Sequence, residues 1–431
     1  MIKRILKTSF FSVGSRGILT LINLIIMYSV SHGLGEEKLG VYSISAFIYY
    51  LFSFLTSFEL TTYFGKEVAH QRDRVEKVKK LVGEISTTFI IGLGISVLLL
   101  IFLLLFYYKI DTPVLLISIV SGVIFGIEKN LSGILLGKEK MHFEFISQLV
   151  AFVIVAVPVL IWVKKLDITG TYFLRIAASV FTILMRGFFV RIDQYIEKVY
   201  ISLKYYNWKE ITFFSASGFS YFIQHHFDLF ILSFLISKEL EGAYFLALRI
   251  YLSFCLLAEM TSFALTPYIS RVYRKKESEE LSDFNNFYKK ILLAGVLLGA
   301  LASVILFFAR HMLVSLFTKE NPQLATEFLL YFSFFLFFRF VSYYTGNILT
   351  STRYQDIRFY ILISSALLMI GLEILLGHFF SVMGIIYSRA VMELFIFIAY
   401  LIAVAKIREN PVETQNLASL QNITSLPDRE Q

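Results

Sequence analysis

Apolar residues run along this chain in long blocks, not in the narrow stripe of a surface helix. Brief charged stretches separate the blocks, and roughly 20 consecutive apolar residues suffice for a helix to cross a bilayer's hydrocarbon. That rule predicts twelve helices, near 10–31, 39–62, 83–108, 113–136, 144–163, 168–190, 211–236, 242–268, 291–311, 324–350, 359–377 and 382–405. The expected fold class is an all-α polytopic membrane protein.

Two stretches punctuate this pattern in the same way. EEKLGVYSISAFI, from Glu36 to Ile48, and KELEGAYFLALRI, from Lys238 to Ile250, each begin with a charged run. Each continues with glycine, a small residue and tyrosine (Gly40 and Tyr42, Gly242 and Tyr244) and then turns apolar. The same offset carries the basic loop after the second predicted helix onto the one after the eighth. GILLGKEKMHFEFIS (133–147) and GNILTSTRYQDIRFYILIS (346–364) correspond more weakly. The chain therefore reads as a tandem duplication, with a six-helix lobe over 1–205, a second over 206–405 and a disordered cytoplasmic tail over 406–431. An even number of spans gives both lobes one orientation, related by a pseudo-twofold axis along the membrane normal. That arrangement suits transporters that rock one half against the other. Convergence of short loops on a charged-Gly-aromatic pattern is the competing origin of the match.

Composition agrees with the membrane reading. The 431 residues are 57% hydrophobic and 17% charged, with mean hydropathy +0.70, whereas soluble proteins carry about 25% charge. The net charge of +8 gathers in alternate loops: Lys66 to Lys80, Arg191 to Lys209 and Arg271 to Lys290. Cytoplasmic loops carry the Lys/Arg excess, so both termini are expected in the cytoplasm, with the cations facing anionic lipid and not nucleic acid. Lys3, Arg4 and Lys7 precede an apolar stretch that outruns a signal peptide and reads as the first span. One cysteine, Cys255, excludes an internal disulfide. No phosphate-binding loop, HExxH, Cys/His spacing or nucleophilic triad is seen outside the membrane. Neither catalytic residues nor a metal or cofactor are expected, and a monomer is.

Polar residues inside the predicted spans are the informative ones. A charge at a span's centre costs about 2.5 kcal/mol or more on insertion scales, so it usually faces a cavity. Arg16 shares a helical face with Ser12, Thr20 and Asn23; Tyr42, Ser45, Tyr49, Ser53 and Thr56 form another stripe, ending near Glu59. Glu128 and Lys129 lie in the fourth span. Ser217, Tyr221, Gln224 and Asp228 line one face of the seventh, beside His225 and His226. Arg249 and Glu259 occupy the eighth, and Arg339 and Tyr343 the tenth. Together they predict a wet central cavity with a cationic bias. Arginine's planar fork binds phosphate or carboxylate oxygens two at a time. Candidate substrate contacts are Arg16, Asn23, Tyr49, Lys129, Arg249, Arg339 and Tyr343; candidate ion-coupling groups are Glu59, His225, His226 and Asp228. Each also admits a structural role, bonding one helix to the next. Glu373, Arg389 and Glu393 are expected to pair with one another.

FDLFILSFLISKELEGAYFLALRI (227–250) resembles the seventh-to-eighth helix region of polysaccharide flippases of the Wzx type, in the multidrug/oligosaccharidyl-lipid/polysaccharide exporter superfamily. Asp228, Gly242, Tyr244, Ala247 and Arg249 carry the match, and LGEEKLGVYSIS (34–45) and GKEKMHFEFIS (137–147) resemble two further family segments. Departures are Leu229, where the family often has a basic residue, and twelve predicted helices where lipid II flippases have fourteen. The resemblance implies an O-antigen-type flippase of the bacterial inner membrane. It would carry an undecaprenyl-pyrophosphate-linked oligosaccharide to the periplasmic leaflet by alternating access. Membrane lipids, a glycan polymerase and a chain-length regulator are the partners it implies. A cationic-drug antiporter of the superfamily should show acids in the N-terminal cavity, where this chain has Arg16. An integral-membrane glycan polymerase or ligase should carry a large periplasmic loop; here the longest lies between His311 and Leu324.

Overall fold

A chain this apolar must satisfy its backbone hydrogen bonds internally, and in hydrocarbon that dictates helices. The computed structural model describes residues 2–70, 75–106, 111–190, 208–266, 269, 281–318, 322–351 and 354–409. Every element among them is an α-helix: α1 (Ile2–Leu34), α2 (Glu36–Ser57), α3 (Thr61–His70), α4 (Val75–Phe106), α5 (Thr112–Gly137), α6 (Met141–Val190), α7 (Trp208–Leu235), α8 (Lys238–Ala264), α9 (Leu281–Phe317), α10 (Pro322–Ser351) and α11 (Gln355–Glu409). Of the basic loops expected at 65–82, 191–210 and 271–290, residues 71–74, 191–207 and 271–280 lie outside the described residues, as does most of the tail from 406; the rest of the first is helical, in α3 and α4, and the second half of the last opens α9.

Local chemistry sets the boundaries. Gly35, at φ 91°, supplies the left-handed turn between α1 and α2. Asp111 precedes the Thr112-Pro113 start of α5, where proline's missing N–H costs nothing. Ser237 caps α8 by accepting from Leu240 N at 3.4 Å.

Two elements are far longer than one crossing. A straight 50-residue helix would separate its ends by about 75 Å. In α6, however, Lys140 Nζ donates to Phe189 O at 3.3 Å, and Phe143 stacks on Phe189 at 4.1 Å. The chain doubles back at Asp167, φ 51°, into limbs 141–162 and 168–190. Asp167 Oδ1 accepts from Ile168 N at 2.8 Å and starts the second limb. In α11 the reversal is at Ser381, φ 52°. Gln224 and Asp228, one turn apart on α7, bond Ser365 (2.9 Å) on one limb and Arg389 (2.7 Å) on the other. These reversals account for the predicted pairs 144–163/168–190 and 359–377/382–405.

Nine described segments are long and apolar enough to cross a membrane. The polar run Gln224–Asp228 keeps α7 out of that set, although it packs among the others. Large side chains such as Leu98 (70% exposed) and Phe188 (79%) point outward from the bundle, as lipid-facing residues do.

The predicted helix 39–62 is broken. Phe58 (φ 48°) and Glu59 (φ 54°) leave the helical region, Glu59 N bonds Ser57 Oγ at 3.2 Å, and α3 resumes at Thr61. Irregular backbone at membrane depth is tolerated where it borders a cavity.

Candidate functional site

α1, α2, α5 and α6 face α7, α8, α10 and α11 across a cavity of about 600 Å³. Its wall includes Thr61 at the start of α3, Glu144 near the start of α6, Thr350 near the end of α10, Arg358 near the start of α11, and Ser12 of α1, which mark one end of it. At the other end the two Gly-x-Tyr stretches meet. A Cβ on Gly242 would lie 2.5 Å from Glu36 O, and one on Gly40 would overlap the carbonyl oxygen of Lys238. Only glycine lets α2 and α8 approach this closely. Ser43 donates to Glu241 Oε1 (2.5 Å), Thr318 to Glu36 Oε1 (2.6 Å), and Lys38 pairs with Asp167 (3.2 Å). The cavity is thus sealed at this end. Each tyrosine anchors on its own side of the seam: Tyr42 OH accepts from Arg175 (2.8 Å), and Tyr244 OH donates to Asp228 (2.7 Å).

The charges in the wall come mostly in pairs. Arg16 pairs with Glu259 across the cavity, and Lys129 with Glu59 at the break between α2 and α3. Arg186 pairs with Glu128 at 3.0 Å. The surplus of deep cations expected from the sequence is therefore smaller: Arg16 and Lys129 each have a carboxylate supplied from another element. Arg249 and Arg358 have no carboxylate partner among the described residues. Arg358 donates to Thr350 Oγ1 at 2.6 Å. Arg249 lies over Phe245 (4.8 Å) and Tyr50 (5.2 Å), and its buried Nη2 has no hydrogen-bond partner.

Where Arg249, Tyr50 and Asn23 converge, the cavity runs into a narrow cleft of about 10 Å³, room for one water. Arg175 closes the cleft. Its Nη2 donates to Asn23 Oδ1 at 2.7 Å, and its guanidinium lies 5.1 Å from the Tyr49 ring. Asn23 also donates to Tyr50 OH at 3.3 Å.

Of the residues singled out in the sequence, Arg16, Asn23, Glu59, Lys129, His225, His226, Arg249 and Tyr343 line the main cavity, and Tyr49 lines the cleft. His226 stacks on Tyr50 at 4.2 Å and His225 on Tyr221 at 3.9 Å, giving flat aromatic faces to the lumen. Arg339 and Asp228 lie off the cavity in dry pairs. Arg339 Nε is 3.5 Å from Glu393 Oε1, and Asp228 holds Arg389 at 2.7 Å. The expected mutual pairing of Glu373, Arg389 and Glu393 is not formed, because each arginine turns to another helix. Arg358 and Tyr50 were not picked out by the sequence reading. Arg358 sits just ahead of an apolar run, where a cation reads as a loop residue, and Tyr50 lies one position off the polar stripe of its helix.

The family described as polysaccharide biosynthesis protein matches residues 5–273, and the MatE family matches 216–375. No curated protein sequence matches the chain. Among solved structures, a lipid II flippase, MurJ, in an inward closed conformation is similar at TM-score 0.70 and 15% identity, over 97% of this chain and 94% of that one. An inward-facing multidrug resistance MATE transporter of the MOP superfamily gives 0.67 and 16%, over 91% and 96%. A MOP superfamily transporter from Pyrococcus furiosus, with a binding pocket described as of reverse polarity, gives 0.66 and 14%, over 95% and 96%.

Proposed function

Because the chain belongs to the polysaccharide biosynthesis protein family, a multi-pass membrane family of flippase and transporter fold, we propose that it flips an undecaprenyl-pyrophosphate-linked glycan unit across a bacterial inner membrane. The head group enters from the cytoplasmic end, where the cavity meets the basic-loop side, and the polyprenyl tail stays in lipid. Opening of the Gly40–Gly242 seam then releases the glycan to the other leaflet.

Arg249 carries this reading. Its buried Nη2 keeps an unused donor, and the guanidinium stands at the deep end of the cavity, which is what a phosphate oxygen needs. Tyr50, Tyr221, His225 and His226 offer flat surfaces for sugar rings, and Arg16, Lys129 and Arg358 add cations along the entry. Tyr343 lines the same wall. Arg339, buried beside it, acts through the scaffold. A charge-assisted hydrogen bond contributes about 1.5–3 kcal/mol, so Arg249→Ala is expected to weaken binding of a polyprenyl-pyrophosphate sugar about tenfold to a hundredfold. Arg249→Lys should recover only part, because an ammonium lacks the fork. Ligand titration of the detergent-purified protein by native mass spectrometry reads this out.

The MatE match to residues 216–375 favours a second reading, export of cationic drugs. The two part on one experiment. Liposomes holding the protein are loaded with a fluorescent polyprenyl-pyrophosphate disaccharide, and the fraction reachable by a membrane-impermeant quencher is followed. Faster equilibration between leaflets than in empty liposomes supports flipping. Equilibration at the rate of empty liposomes, with Arg249→Ala improving uptake of a lipophilic cation, supports the drug reading instead.

A further inference from the structure

The cleft at the deep end of the main cavity gathers positive charge that no acid answers. Arg175, on the second limb of α6, is 6% exposed, and no carboxylate pairs with it among the described residues. Its Nη2 donates to Asn23 Oδ1 at 2.7 Å and to Tyr42 OH at 2.8 Å, whereas its buried Nε has no partner. The ionisable groups that act on it most are Tyr42, Tyr49, Tyr50 and Tyr172, which are neutral at ordinary pH. Arg249 of α8 borders the same cleft from across the seam, and its Nη2 is also unpartnered. Two guanidiniums therefore face one narrow gap with no countercharge between them. Desolvation and mutual repulsion both disfavour that arrangement unless an anion comes from outside.

The hydrogen-bonding groups around the gap are mostly donors. Asn23 Oδ1 is taken by Arg175. The phenol oxygens of Tyr42 and Tyr50 already accept, from Arg175 and from Asn23 Nδ2 (3.3 Å), and each phenol keeps its O–H to give. A water here finds donors to accept from and little to donate to, whereas a halide ion only accepts. The gap, about 10 Å³, takes one water-sized occupant. A chloride ion is only slightly larger, and a phosphate with its full set of oxygens does not fit. We propose that the cleft is a binding site for a monatomic monovalent anion, chloride in ordinary media, held between Arg175 and Arg249 by guanidinium and phenol donors. It is separate from the phosphate position in the main cavity and shares only Arg249 with it. The bound ion supplies the countercharge that Arg175 lacks and links α6 to α8 beside the sealed end. Any effect on transport rests on the flippase reading above; the binding itself does not.

Detergent-purified protein tests this without substrate, exchanged into sodium gluconate and titrated with sodium chloride at constant ionic strength. The chloride nuclear magnetic resonance should show a saturable excess broadening that bromide displaces. The folded state should gain about tenfold in the unfolding equilibrium once chloride reaches about ten times its dissociation constant. Asn23→Asp keeps the size of the side chain and sets a carboxylate beside Arg175. It should match or exceed wild type in stability in gluconate and lose the response to chloride. Arg175→Gln should lose the response as well, and Arg358→Gln, altered at the far end of the main cavity, should keep it. A wild type indifferent to chloride overturns the proposal. So does a response that survives in Asn23→Asp or Arg175→Gln, or an Asn23→Asp less stable than wild type in gluconate. Loss of the response in Arg358→Gln overturns it too, since the ion would then sit at the mouth of the cavity.

Discussion

Replacing Glu128 with alanine is expected to cost about 3–5 kcal/mol of stability, the usual consequence of leaving a buried charge alone. Arg186 is almost entirely enclosed. It reaches Glu128 Oε1 at 3.0 Å, Glu128 O at 3.1 Å, Ser132 Oγ at 2.6 Å and Ser147 Oγ at 3.0 Å. These contacts tie α5 to both limbs of α6. Without the carboxylate the guanidinium keeps one carbonyl and two hydroxyls but loses its ion-pair partner, with Glu144 the carboxylate still acting on it. The double variant Glu128→Leu/Arg186→Leu should recover most of the loss, since it removes both desolvation costs together. Denaturant unfolding, in detergent, of wild type, Glu128→Leu, Arg186→Leu and the double variant supplies the double-mutant cycle. Single substitutions that each cost under about 1 kcal/mol would mark the pair as solvated and remove it as the anchor of the cavity floor.

Gly40→Val is expected to abolish transport while the protein remains folded. A valine side chain at this position enters the space of the Lys238 carbonyl, and backbone cannot rotate away as a flexible side chain can. α2 and α8 must then separate at the sealed end, which breaks the Ser43–Glu241 bond and removes the state closed at this end. Ser43, fully buried here, provides the readout. In a Cys255→Ser background, Ser43→Cys should resist a membrane-impermeant maleimide, and adding Gly40→Val should make it reactive. Gly242→Val should act in the same direction, because its Cβ meets Glu36 O from the partner helix. Full transport by Gly40→Val would show that the seam does not have to close.

Much of this was legible one residue at a time. Blocks of apolar sequence located the spans, since the bilayer sets their length, and the two reversals at Asp167 and Ser381 fall where the predicted helices end. The repeated Gly-x-Tyr stretch pointed to duplication, but not to the two copies touching. Close approach of backbones is a relation between helices that no single segment contains. The charges were legible as unusual and not as paired. Arg16 meets Glu259, and Arg339 meets Glu393, across long stretches of sequence. The break at Phe58–Glu59 left no glycine or proline to announce it.

By itself, then, the sequence determined that this chain lives in a bilayer as a bundle of helices and which polar residues it carries inside. These follow from hydration: apolar segments leave water, and buried polar groups need a reason. Tertiary structure alone decided which of those groups face a lumen, which neutralise each other in dry pockets, and which guanidiniums were left without a carboxylate. The decisions turn on distances of a few ångströms between helices remote in sequence. The free energy of a buried charge depends on those distances and not on its neighbours along the chain.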